Sequence, residues 1–119
     1  MSSHTVKHAV ALSLSLLMHG LVMAQETPRV DQRSIHQEQR IEQGVASGSL
    51  TAPEANRLER GQQHVDNMEA RAKSDGVVTR QERLRLHEAQ NVQSRRIDRQ
   101  KHDRQHDFNH NGRVDRRRG

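Results

Sequence analysis

The chain is missing much of what small proteins use to hold themselves together. Its 119 residues include no Cys, no Trp, no Tyr and a single Phe, and only two Pro. Without Cys there can be no disulfide, no thiol redox chemistry and no thiolate-ligated metal. Stability must then come from helix packing, capping, a metal, a partner or a mixture of these. Apolar residues make up only 30 % of the sequence, which places it at the border with disordered chains and argues against the deep apolar pocket of a typical enzyme. The length leaves room for one small domain.

The apolar residues present are unevenly spread. The first 24 positions hold 14 of them. Lys7 with His4 and His8 forms a short basic start, Ala9 to Leu17 is an apolar run, and Val22-Met23-Ala24 offers a small-residue cleavage pattern before Gln25. Residues 1–24 therefore read as a secretory signal peptide. Ser13, Ser15, His19 and Gly20 interrupt a run already shorter than the roughly 20 apolar residues a membrane span needs. With no Cys after the cleavage point there is no attachment site for a lipid anchor. The expected product is a soluble exported protein, periplasmic or secreted.

Two segments repeat with an offset of 28 residues: Ser47-Gly48-Ser49-Leu50-Thr51-Ala52-Pro53-Glu54 and Asp75-Gly76-Val77-Val78-Thr79-Arg80-Gln81-Glu82. Gly can take the left-handed conformation that ends a helix, and the apolar residue two places on can fold back over the last turn. Thr51 and Thr79 then cap new helices, with Glu54 and Glu82 bonding back to them as capping boxes. Pro53 sits near the helix start, where its missing N–H costs little.

These corners predict three helices, about 30–46, 52–73 and 80–105, within a helical domain over 25–105. Ala55, Leu58, Val65, Met68 and Ala72 form the best apolar stripe, with Gly61 on the same side. In the third segment Leu86, Ala89, Gln93, Ile97 and Gln100 share a face and Leu84 points away. In the first, Val30, Ile41 and Val45 lie together and Ile35 lies off them. The expected fold is all-α, a small helical hairpin or three-helix bundle, followed by a flexible basic tail over 106–119. The narrow stripes leave open whether they are covered within one chain or by homodimerisation.

Charge divides the chain in the same way. Residues 95–119 carry nine basic and four acidic side chains, whereas residues 25–94 carry ten and eleven. The excess positive charge belongs to the end of the chain.

That end contains Asp107-Phe108-Asn109-His110-Asn111-Gly112-Arg113-Val114-Asp115. A hard cation such as calcium wants six or more oxygens, and alternate residues of a tight loop can converge carboxylate, amide and carbonyl oxygens on one point. In this spacing the sequence resembles the EF-hand family over nine consecutive positions. The resemblance implies Asp107, Asn109 and Asn111 at loop positions one, three and five, Gly112 at the turn, the Arg113 carbonyl at seven, Val114 at the apolar position eight and Asp115 at nine. Arg118 stands where the family has an acidic twelfth ligand, and no exit helix follows, so the implied calcium affinity is weak. The resemblance extends backward to the two corners, where Glu54 and Glu82 occupy the twelfth position. Their other positions, among them Gln43, Val45, Arg71 and Lys73, cannot serve as ligands, and capping alone accounts for Gly, Thr and Glu there.

Two other chemistries compete for this region. His102 and His106 are four apart and share a face if the third helix runs to Gln105, with His110 extending the row. Imidazoles so spaced suit zinc or copper, with Asp103 or Asp107 as an oxygen ligand. The cluster Arg113, Arg116, Arg117 and Arg118 would attract a polyanion or an unidentified protein partner. Against nucleic acid stand the absence of Tyr and Trp and the carboxylates that interrupt the run. A phosphate-binding Gly loop and a nucleophile elbow are both missing, so no enzymatic activity is expected.

Overall fold

The computed structural model describes residues 27–115. The expected signal peptide and Arg116–Gly119 lie outside the described residues. Three helices follow one another, α1 (Pro28–Ala46), α2 (Ala52–Lys73) and α3 (Arg80–Lys101). Each packs on both of the others, so the described residues form an all-α three-helix bundle rather than an open hairpin. None of the helices among the described residues is long and apolar enough to cross a membrane.

The corners form as their local sequence dictates. Gly48 and Gly76 both have positive φ, 73° and 83°. The Leu50 N–H donates to the Gly44 carbonyl at 3.0 Å, and the Leu50 side chain lies so close over Gly44 that a Cβ there would meet it at 2.5 Å. Thr79 and Glu82 make a complete capping box, Glu82 N–H to Thr79 Oγ1 at 3.2 Å and Thr79 N–H to Glu82 Oε2 at 2.8 Å. At Thr51 both the N–H and the hydroxyl donate to Glu54 Oε2, at 2.9 and 2.8 Å.

The core has two apolar ends and a polar middle. At one end Val30, Ala72, Val78 and Leu86 pack together with Met68 beside them. At the other end lie Ile41, Leu50, Leu58 and Ile97. Each cluster takes one residue from every helix and one from a corner. Leu86 and Ile97 are fully buried within the single chain, which answers whether their stripes need a second copy.

Between these clusters the helices are joined by glutamine. Gln37 donates to the Gln90 carbonyl at 2.8 Å, Gln90 to the Val30 carbonyl at 2.8 Å, and Gln93 to the Leu58 carbonyl at 2.7 Å. Gly61 leaves the space that the Gln93 amide fills, since a Cβ there would stand 2.3 Å from its Oε1. These cross-links use the second lone pair of helical carbonyls. They leave Gln37 and Gln90 each with a buried Oε1 that has no partner among the described residues, and Gln62 on α2 has one as well.

Three expectations need correction. Helix α1 begins at Pro28, two residues earlier than expected, and Val45 is exposed rather than part of the stripe. Helix α3 ends at Lys101 rather than Gln105, because His102 departs from helical geometry and Asp103 Oδ1 accepts the Gln105 N–H at 2.7 Å. A short side chain bonding two residues ahead offers the backbone an alternative to the helical bond. Past the end of α3 the chain turns back on the bundle, where the Asp107 N–H donates to the Gly48 carbonyl at 2.8 Å.

Candidate functional site

The loop from His106 to Asp115 is closed on itself by its own side chains. Its ends meet where the Asp115 N–H donates to the His106 carbonyl at 2.6 Å. Asp115 also grips the start of the loop, with Oδ2 accepting the Phe108 N–H and Oδ1 accepting from Asn109 Nδ2, both at 2.6 Å. Asp107 grips the far side, with Oδ1 accepting the Asn111 N–H at 2.9 Å and Oδ2 the Gly112 N–H at 2.8 Å. Asn109 Oδ1 accepts the Asn111 N–H at 3.0 Å, and Asn111 Oδ1 accepts the Arg113 N–H at 2.8 Å. His110 and Gly112 provide the left-handed turns, with φ of 56° and 76°.

The predicted oxygen donors Asp107, Asn109, Asn111 and Asp115 are thus gathered in one loop, all turned toward its backbone N–H groups. Each carboxylate oxygen keeps a further lone-pair site beyond the bond described. Asp107 is only 6 % exposed, and among the described residues neither it nor Asp115 forms an ion pair with Lys or Arg. A carboxylate shielded from water and answered only by neutral N–H groups favours a cation nearby. Among the described residues no three His, Asp or Glu side chains stand together in a group able to hold a metal. A cation here would rely on amide and carbonyl oxygens from Asn109, Asn111 and Arg113 as well as on the two aspartates.

Docking of the loop depends on glycine. A Cβ at Gly48 would lie 2.6 Å from both the Asp107 carbonyl oxygen and Phe108 Cα, so the corner residue that ends α1 is also the seat of the loop. A hollow of about 330 Å³ separates the loop from α2, and Asn56, Glu59, Asp107, His110 and Gly112 line it. Nothing in the sequence pattern pointed to this contact, although Gly48 was already marked as a corner.

The histidines are dispersed. His102 closes α3, with its Nδ1 against the Asp98 carbonyl at 2.8 Å. His106 lies beyond the helix and stacks on Phe108 with ring centroids 4.7 Å apart. His110 stands in the loop turn. With α3 ending at Lys101, the helical face that would align the three does not extend past His102. Val114, at the apolar position of the resemblance, is half exposed, unlike its buried counterparts Leu50 and Val78. The caps Gly48, Thr51, Glu54, Gly76, Thr79 and Glu82 all sit at helix ends. Glu54 is fully buried, and its Oε1 has no partner.

Comparison with models of known protein families, with curated proteins and with solved structures found no match.

Proposed function

We propose that this chain is a small exported, non-enzymatic protein that binds a divalent cation weakly through the loop of residues 107–115, with calcium the best-suited ion. The observation that carries the reading is the buried Asp107 carboxylate, held by two backbone N–H groups and, among the described residues, by no cationic side chain, in a closed loop with Asn109, Asn111 and Asp115. Oxygen donors alone, mixed carboxylate and amide, suit calcium over softer ions. Water or a partner's carboxylate completes the shell in place of the acid that Arg118 replaces. Two carboxylates in the loop make the site weak, with a dissociation constant on the order of 1 mM, the range of extracellular modules.

Calorimetric titration of the chain with calcium chloride tests this. A weak saturable heat that disappears in Asp107→Ala, while circular dichroism stays helical, is the expected result. His102→Ala/His106→Ala should leave the calcium response unchanged. A heat confined to zinc or copper and lost in that double variant moves the site to the histidines, and silence with every ion removes the cation reading.

A further inference from the structure

Outside the loop, charge is sorted between two interhelical grooves that flank α2. The α1/α2 groove, about 530 Å³, is lined by Glu38, Glu42, Glu59 and Asp66, with Arg60 the one cation among the described residues and Ile41 in its wall. The α2/α3 groove, about 500 Å³, is lined by Arg57, Arg96 and Arg99, with no carboxylate among the described residues, around Leu58. The formal charges are near −3 and +3. Glu38, Glu42 and Glu59 bond no side chain among the described residues, and neither do Arg57, Arg96 and Arg99. Glu38 and Glu42 are like charges one helical turn apart, an arrangement that destabilises a helix unless a cation answers it; Arg96 and Arg99 repeat the problem with the opposite sign.

A second observation shows what the acidic groove lacks. Gln62 lines it and is only 4 % exposed, yet its Oε1 has no hydrogen-bond partner, while its Nε2 reaches toward Asp66 at 3.5 Å. Carboxylates beside an unanswered amide oxygen call for a group that is all donor and positively charged. A guanidinium, with five N–H donors and no acceptor, is such a group.

We infer that the chain forms a homodimer in which the acidic groove of each copy receives the arginines of the other's basic groove. The two grooves lie on either side of α2 and at the same level along it, Arg57 beside Asn56 and Glu59. A two-fold axis running alongside α2 and parallel to it therefore sets acid on base twice, and the contact closes without leaving a free face. An interface built on charge, with Ile41 and Leu58 beneath it already buried in the core, is modest in affinity and sensitive to salt.

Sedimentation equilibrium of the full chain at low ionic strength should show a dimer that dissociates as salt is raised. Glu38→Arg/Glu42→Arg and Arg96→Glu/Arg99→Glu should each weaken association by roughly tenfold or more, about the loss of one or two interfacial charge pairs. Combining all four substitutions in one chain should recover part of the association lost in either double variant, because the grooves then carry about +1 and −1 and attract again. The neutral variants Glu38→Gln/Glu42→Gln and Arg96→Gln/Arg99→Gln repeat the single-groove test should a reversed charge disturb helicity. A wild-type chain that stays monomeric at low salt overturns the inference and leaves the grooves to unlike partners. So does a helical four-fold variant that associates no better than either double variant. None of the four residues belongs to the cation loop, so this test and the calcium titration succeed or fail separately.

Discussion

At the scale of single residues the chain uses polar groups where other small proteins use apolar ones. Glu69 is nearly buried and takes the Thr27 hydroxyl from the start of α1 and the Lys73 ammonium one turn along, the latter at 2.9 Å. That hydrogen bond, opposed by desolvation and aided by the charges of Glu69 and Asp31, raises the Lys73 pKa above its ordinary 10.5. A cation whose folded pKa is raised adds stability that is complete below about 10.5, the unfolded value, and is lost as pH climbs through the folded one. The absence of Tyr and Cys leaves almost nothing else to titrate there. Thermal unfolding from pH 9 to 11.5 should show stability falling along the alkaline limb, and Lys73→Met should flatten it.

At the scale of the element, the ends of the helices were far easier to read than their interiors. Residues 52–73 were legible to the residue because Gly48, Thr51, Pro53, Glu54 and Gly76 act through bonds within a few positions of themselves. The C-terminus of α3 was not, since no Gly or Pro stands there and the stop comes from one Asp103 side chain competing for a backbone N–H. Gln90 was missed altogether: it is fully buried, but hydrophobic periodicity counts it as a surface residue. Its amide fills volume and bridges to α1, while its unpartnered oxygen opposes that gain. Gln90→Leu, which keeps the volume and removes the orphan acceptor, should therefore change stability by no more than about 1 kcal/mol. Gln90→Ala, which leaves a cavity and loses the bridge, should cost about 2–3 kcal/mol. Urea denaturation monitored by circular dichroism separates the two. Equal losses would mean that the hydrogen bonds, rather than the volume, hold the polar layer.

At the scale of the whole molecule, the loop pattern was legible as a list of residues but its placement was not. The spacing of Asp107, Asn109, Asn111, Gly112 and Asp115 is a local pattern, whereas the seat of the loop on Gly48 joins positions 59 residues apart. The loop also sits at the end of the bundle where Leu50, Ile41, Leu58 and Ile97 pack. An ion that binds only the folded loop should thus stabilise the bundle, by about 1.4 kcal/mol at ten times its dissociation constant. In a domain of this size that raises the melting temperature by roughly 7 °C. Differential scanning calorimetry with and without calcium should show that rise, and Asp107→Ala should cancel it.

The Gly48–Asp107 bond also makes the loop a clock for the bundle. A buried amide tied to another part of the chain trades its proton for deuterium only when the two separate. The Asp107 amide should accordingly exchange far more slowly than its neighbours in the turn, at a rate set by how often the loop lifts from its corner.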